Sequence, residues 1–439
     1  MRDIVLLGAI AALLAFAIKR PFIGMLVWAW FTLMTPHQLA YGVYGIPLNT
    51  LIAGVTIGAY FLSGEVKQFR ADAISILIVL FAGWLTISQV FSLDQQNSAL
   101  FYDRFIKTML FALLCTQMVN TKLRIHAMIW MLVAGVGFFA AKGAVFTVIT
   151  LGEHRVFGFP NTILEDNNHL GIAIATILPL TLYLWSQAKS KYLQYGLLLF
   201  FALAVVTILG TQSRGGFVSL VAFAGFYWFR SKGKVPIAFG MIALAIPAMA
   251  FMPPEWWERM STITTATEDA SFMGRIEAWQ INWDLAVAHP VTGAGLRNSY
   301  LSEIAATVNP TLALEAKAAH SIYFEVLGST GFIGLFIYLS LLASSFIAGL
   351  KTISHSKSAK TAPLWKPNLA RALQVSLAVF CVGGASVSME MWDGYLIVIA
   401  LSSGLYATCM TSQKTKPTLL SANGPRRFIA KAPYRIQPR

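Results

Sequence analysis

Charge is scarce in this chain, and acid scarcer still: only 12% of its 439 residues are Asp, Glu, Lys or Arg, with 19 acids against 33 bases. A soluble globule carries about 25% charged residues, so a water-facing surface of ordinary composition is excluded. Cysteine is rarer, at three. Cys115, Cys381 and Cys409 all fall within or at the ends of apolar runs, where packing is their expected role, and neither a disulfide framework nor a Cys-ligated zinc is expected. The first thirty positions lack the charged n-region and small-residue cleavage site of a secretory leader, so no cleavable signal peptide is expected. Internal repeats, low-complexity tracts and a soluble domain are also missing.

What the chain has is apolar length, with 56% of its residues hydrophobic. Runs near the length needed to cross a hydrocarbon core of roughly 30 Å fall at 4–18, 22–36, 47–63, 73–92, 105–119, 125–149, 169–187, 192–211, 215–230, 235–252, 323–350, 370–389 and 393–411. The expected fold is an all-α polytopic membrane protein of about thirteen (twelve to fourteen) transmembrane helices. The first two runs are short and separated only by Lys19-Arg20-Pro21, as in a hairpin that just reaches across.

Loops rich in Lys and Arg stay cytoplasmic. The turns near 19–21, 64–72, 120–124, 188–191, 230–234 and 351–371, with the tail from 412, hold 23 of the 33 bases and two acids, Glu65 and Asp72. The opposite side keeps 10 bases and 17 acids. The net charge of +14 is therefore a topology signal, and no nucleic-acid partner is expected. The C-terminus is placed in the cytoplasm, and an odd number of spans puts the N-terminus outside. The organisation expected is an N-terminal set of transmembrane helices over 1–150, a core over 151–411 with an exterior loop at 253–322, and a basic tail at 412–439, disordered beside anionic lipid. Trp256, Trp257, Trp279 and Trp283 fall in that loop; it is expected to form short helices on the outer leaflet, covering a cavity.

Four exterior clusters carry the chemistry. The first is Glu153-His154-Arg155 with Gly158 and Asn161, followed by Glu165-Asp166-Asn167-Asn168-His169. The second is Thr211-Gln212-Ser213-Arg214-Gly215-Gly216 in a tight turn; the third is Gly274-Arg275-Ile276-Glu277, with His289-Pro290 and Gly293-Ala294-Gly295-Leu296-Arg297 beyond it. The fourth is Lys317-Ala318-Ala319-His320-Ser321-Ile322-Tyr323-Phe324-Glu325. Topology puts Arg155, Arg214, Arg275 and His320 on one membrane face. A guanidinium fork binds phosphate oxygens in a bidentate way, and an imidazole moves protons near neutral pH. Together they point to glycosyl transfer from a polyprenyl diphosphate sugar.

Each residue also has a plainer role. Arg214 would anchor a helix end to headgroups, although the adjacent Gly215-Gly216 admits close approach of something bulky. Arg155 would pair with Glu153 or Glu165, Arg275 with Glu277 or Asp269, and His320 would hydrogen-bond at a helix end. Arg297, Arg259 and Lys317 read as surface charges. Lys142 either snorkels or faces the cavity, and is counted with the diphosphate candidates. Glu165-Asp166-Asn167-Asn168 has the look of a metal cluster but suits a helix cap better, so no metal is expected. Gly328, Gly331 and Gly334 would let helices pack closely.

The segments Met1-Arg2-Asp3-Ile4-Val5-Leu6-Leu7, Arg20-Pro21-Phe22-Ile23-Gly24 and Met34-Thr35-Pro36-His37 resemble the N-terminal region of the O-glycosylation ligases that accompany exosortase systems. So do Arg155-Val156-Phe157-Gly158, Glu165 to Asn168, Ser213-Arg214-Gly215-Gly216, Arg259 to Ile263 and Ala319-His320-Ser321-Ile322-Tyr323-Phe324. These ligases belong to the broader O-antigen ligase and polymerase superfamily. The resemblance runs through the chain to about residue 350. It implies a glycosyltransferase of the GT-C type in the bacterial inner membrane, with a large periplasmic loop and neither metal nor other cofactor. Such an enzyme moves a glycan from undecaprenyl diphosphate to the hydroxyl of a glycan, lipid or protein acceptor, with inversion at the sugar carbon. By the same resemblance Arg214 and Arg275, with Arg155, hold the diphosphate and His320 acts at the acceptor hydroxyl. Some relatives carry two adjacent histidines where this chain has Ala319-His320, and many have an acid where it has Ser329. If a carboxylate orients the histidine, Glu325 is the nearest candidate. Three other functions remain open: a polymerase joining lipid-linked repeats, a lipid or solute transporter, and a non-enzymatic assembly subunit.

Overall fold

The computed structural model describes residues 1–43, 45–64, 69–230, 233–261, 270–358 and 363–414. The expectations placed on Glu65, on Asp269 and on the tail from 415 onward lie outside the described residues. Among the described residues the regular structure is entirely helical. In chain order the helices are α1 Arg2–Lys19, α2 Pro21–Met34, α3 Leu48–Leu62, α4 Ala73–Val90, α5 Gln95–Met118, α6 Lys122–Ile149, α7 Asn167–Gln187 and α8 Lys191–Gly210. There follow α9 Arg214–Arg230, α10 Lys234–Ala250, α11 Pro254–Ser261, α12 Ala270–Ala288, α13 Ser302–Ala306, α14 Ile322–Ser358, α15 Trp365–Gly384 and α16 Asp393–Lys414.

Each apolar run of the sequence is a helix. Among the described residues six of them, α4, α6, α7, α8, α14 and α16, are long and apolar enough to cross a membrane, as a polytopic membrane protein requires. Helix α2 has 14 residues, about 21 Å at 1.5 Å per residue, and stops at Thr35, which takes a left-handed conformation before Pro36. Side-chain caps set the starts of several helices: Asp72 accepts from the Ser75 amide, Asp94 from Asn97, Thr121 from Arg124, and Asp166 from Asn168 and His169. These residues satisfy amides that no helical carbonyl can reach.

Helices α7 and α16 form the middle of the bundle, with 78% of each apolar window buried, against 33% for α4 and 39% for α8. A helix apolar on every side is stable when other helices surround it, and α7 is enclosed by α6, α8, α9 and α15. Helix α14 lies against α4, α12, α15 and α16.

The 37-residue α14 breaks at Gly331, whose φ of 69° and ψ of −172° interrupt the helical hydrogen bonds. The freed carbonyls are all taken. Gly328 O accepts from the Ala294 amide at 2.8 Å, Ser329 O from the Gly295 amide at 3.1 Å, and Thr330 O from the Trp84 indole at 3.0 Å. In return Pro290 O accepts from the Phe332 amide at 2.9 Å. The stretch 290–298 is thereby stitched into the break. It is also stitched to the α4–α5 junction, where Leu93 N–H donates to Ala294 O and Asn298 Nδ2 donates to Ser92 Oγ and to Asp94 O. The described residues of 270–322 thus pack against the bundle, with α12 lying along α14. Trp279 stacks on Phe324 at 5.1 Å, and Trp256 is buried with its indole donating to Leu209 O. Trp257 and Trp283 keep large exposed areas.

Gly293 (φ 68°) sits where a Cβ would come within 2.5 Å of the Ser329 carbonyl carbon and the Thr330 nitrogen. Gly293→Ala is therefore expected to destabilise the protein by about 1–3 kcal/mol, read as a lower melting temperature of the detergent-purified chain. Gly225→Ala, where nothing lies within 4 Å of the added carbon, should be neutral or stabilising. Equal effects at the two sites would remove the stitched loop from the stability of the fold.

Candidate active site

His320 occupies a left-handed backbone position (φ 46°) just before α14. Its amide donates to Ser388 Oγ at 3.1 Å, and that hydroxyl donates to Glu325 Oε2 at 2.8 Å. The same carboxylate oxygen accepts from the Ala319 amide at 3.3 Å, and Ala319 O accepts from the Trp279 indole at 2.7 Å. The histidine turn is clamped from three sides: by α12, by the first turn of α14 and by the connection between α15 and α16. Glu325, 1% exposed, does hold the histidine segment, but through backbone amides and Ser388.

The His320 imidazole is depressed from 6.5 to about 4, chiefly by burial and then by the Arg275 charge, with His169 and Lys317 acting in the same direction and Asp166 opposing them. At neutral pH it is an uncharged base. Its electrostatic neighbours also bring Arg275, His169 and Asp166 to one region of the structure, although they lie 45, 151 and 154 residues before His320 in the sequence.

Beside this turn is a cavity of about 460 Å³. Arg104 and Arg297 supply its cations, Glu165 and Asp166 its acids, and His169 and Ser388 further polar groups; Phe101, Phe157 and Met391 form apolar wall. Arg297 is the best defined of these. Its Nη2 lies 3.4 Å from Glu390 Oε1, and its guanidinium lies 4.8 Å from the Phe101 ring centroid and 5.6 Å from that of Tyr300. Burial would lower the Arg297 pKa, but Glu390 and the groups beside it outweigh burial and raise it, so the cation is permanent. Asp166 caps α7, as a helix start requires. Among the described residues no group of three His, Cys, Asp or Glu side chains converges as metal ligands.

Of the cations chosen from sequence, Arg275 acts on His320 without lining the cavity, and the others take different places. Arg155 donates through Nε to Gln212 Oε1 at 3.4 Å, and Glu165 accepts from the Asn161 amide. Arg214 is half-buried at the first residue of α9. Gly215 and Gly216 beside it serve helix packing: a Cβ on the first would meet Ser386 Oγ at 2.5 Å, and one on the second would meet the Gly171 Cα of α7 at 3.2 Å. Lys142 is exposed, with its ammonium 4.8 Å from the Phe159 ring centroid. Glu277 pairs with Lys317 at 3.8 Å. The cavity wall thus carries Arg104 and Arg297, not Arg155, Arg214, Arg275 or Lys142.

Two surface assignments are corrected. Arg297 is held in the interior by Glu390, whose side chain is 2% exposed. Arg259 donates to Gln212 O at 2.8 Å, because Gln212 has a positive φ and its carbonyl falls outside the helical ladder. Arg104 and Glu390 were not singled out from sequence at all. The signal available was an acid in the short stretch Ser388-Met389-Glu390-Met391-Trp392 between two apolar runs, since a charge so placed demands a partner.

Comparison with known families divides the chain in two. Residues 1–189 match a Family of unknown function (DUF5935), and residues 197–339 match a family described as O-Antigen ligase. No curated protein matches the chain. The cavity straddles both regions, for Arg104, Asp166 and His169 come from the first and Arg297 from the second. Residues 197–339 are thus similar to an O-antigen ligase family, a likeness that covers less than half of the chain.

Proposed function

We propose that the chain is an inverting, metal-independent glycosyltransferase that moves a glycan from undecaprenyl diphosphate to an acceptor hydroxyl at the periplasmic face of the bacterial inner membrane. In this assignment the bundle is of the GT-C type, with about thirteen spans and a cytoplasmic C-terminus. The observation that carries the proposal is the uncharged His320, clamped by Glu325 and Ser388 beside Arg275.

In the proposed reaction the acceptor hydroxyl gives its proton to the His320 imidazole while its oxygen attacks the anomeric carbon. The bond from that carbon to the diphosphate oxygen breaks, and undecaprenyl diphosphate leaves with the bonding electrons. One displacement inverts the configuration. Negative charge grows on the leaving diphosphate, and fixed guanidinium groups stabilise it most in the transition state. Arg275, whose charge reaches His320, takes that role together with Arg297 and Arg104 of the cavity wall, while Arg214, Arg155 and Lys142 lie off that wall and draw in the anionic donor from farther away. Because guanidinium charge suffices for the leaving group, a divalent cation is not required. A neutral base suits the step: an imidazolium has no lone pair for the incoming proton. Polymerisation of lipid-linked repeats would use the same chemistry, and it is told apart by a ladder of products where ligation gives a single addition.

With the purified full-length chain in nanodiscs, donor glycan on undecaprenyl diphosphate and acceptor, transfer is expected to continue in excess EDTA. His320→Ala should lower kcat by about 10²–10⁴-fold; an unchanged rate would remove the histidine from the chemistry. The acid limb of kcat/KM should fall near pH 4, because protonation below that value occupies the accepting nitrogen, and a limb near 6.5, the ordinary histidine value, would contradict the proposal. Arg275→Lys should cost about tenfold or more, since a point charge cannot reproduce the bidentate fork. Arg275→Met should also move the acid limb upward, because the Arg275 charge holds the imidazole down.

A further inference from the structure

A second chamber, of about 310 Å³, lies next to the cavity beside His320. The two share Arg104, Thr162 and Ile163 as a common wall. Apart from Asp393, every lining residue of this chamber comes from the 1–189 region. Its walls are the C-terminal half of α2 and the residues just after it, the start of α3, the middle of α5 at 103–108, the 161–163 loop and the first residue of α16. Under the topology read from the basic residues, the end of α2 and the starts of α3 and α16 belong to one face.

The lining has a definite chemistry. Thr32, Thr35, Asn49, Thr50, Asn161 and Thr162 contribute uncharged hydroxyl and amide groups. Trp28 and Phe31 contribute aromatic surface, and the Nδ1 of His37, a ring stacked on Phe31 at 5.9 Å, is buried without a hydrogen-bond partner. The four charged residues balance formally, Asp103 and Asp393 against Arg104 and Lys107, and Asp103 pairs with Lys107 at 2.7 Å. A chamber without net charge has no preference for an anion. Uncharged donors and acceptors set around aromatic surface match a ring that carries hydroxyls on its edge and C–H groups on its face. A site built to hydrogen-bond hydroxyls also rejects molecules that lack them.

We infer that this chamber is a subsite for a neutral sugar ring, and that it receives the acceptor glycan of the proposed transfer. The assignment to the acceptor rests on that proposed reaction. Two substrates need two places, and the anionic donor belongs with the guanidinium groups around His320. A sugar seated here would approach the donor across the wall formed by Arg104 and Thr162. The 1–189 region would then supply acceptor recognition to a transfer centre in the 197–339 region.

The test is saturation-transfer NMR on the full-length chain in nanodiscs with glucose, galactose, mannose and N-acetylglucosamine, each at millimolar concentration. At least one sugar should receive saturation from the wild-type protein. Asn49→Trp and Thr50→Phe, exposed lining positions of α3, should weaken that binding by about tenfold or more, while Arg275→Ala leaves it unchanged. Unchanged melting temperatures and unchanged binding of undecaprenyl diphosphate establish that the two chamber variants fold. Absence of saturation for all four sugars, or a signal that survives both chamber variants, would overturn the subsite. In the transfer assay Asn49→Trp should raise the acceptor KM and leave the donor KM alone; the reverse pattern would overturn the acceptor assignment. Full activity of His320→Ala alongside the expected NMR result would sink the proposed chemistry and leave the sugar site standing.

Discussion

The break in α14 is the constraint on which the region around His320 and Arg297 depends. A helix interrupted within an apolar bundle leaves carbonyls that hydrocarbon cannot satisfy, and each orphan would cost several kcal/mol. The chain meets that demand with its own distant segments: Ala294, Gly295 and Trp84 supply the donors. The consequence reaches beyond stability. Because residues 290–298 must lie in the break, Arg297 is delivered to Glu390 and to the cavity wall, and α12 is drawn along α14 so that Trp279 can hold the peptide before His320.

Two buried carboxylates then divide the work. Glu390 fixes the Arg297 cation, and Glu325 fixes the backbone around His320 by way of Ser388. Removing one partner of a buried charged pair leaves the other uncompensated, which makes such pairs rigid once formed. For the proposed transfer, a rigid cation and a rigid neutral base would leave little reorganisation for the moment of reaction.

Helix positions were legible in the sequence because each apolar run is long and ends at caps such as Asp72, Asp94 and Asp166. That His320 and Arg275 share one region was legible as well, and Glu325 was reached by proximity in the chain. Arg297 and Arg104 were not, because an arginine near a helix end looks the same whether lipid or a buried acid receives it. Only the long-range hydrogen bonds from 294–298 to 92–98 and to 328–330 decide between those fates, and no local pattern encodes them. Gly331 shows the same limit. Its spacing from Gly328 and Gly334 suggested close packing, whereas the left-handed conformation that breaks α14 depends on a loop some forty residues upstream.

The bonds between Asn298 and the α4–α5 junction also have a temporal meaning. Ser92, Asp94 and Asn97 are made early, and their partner in the chain follows about two hundred residues later. During synthesis the early junction must wait, with its polar groups served by water, until most of the bundle has been inserted. Completion of this junction is therefore a late event in biogenesis, and a nascent chain that stops short of residue 298 leaves the α4–α5 turn without its counterpart.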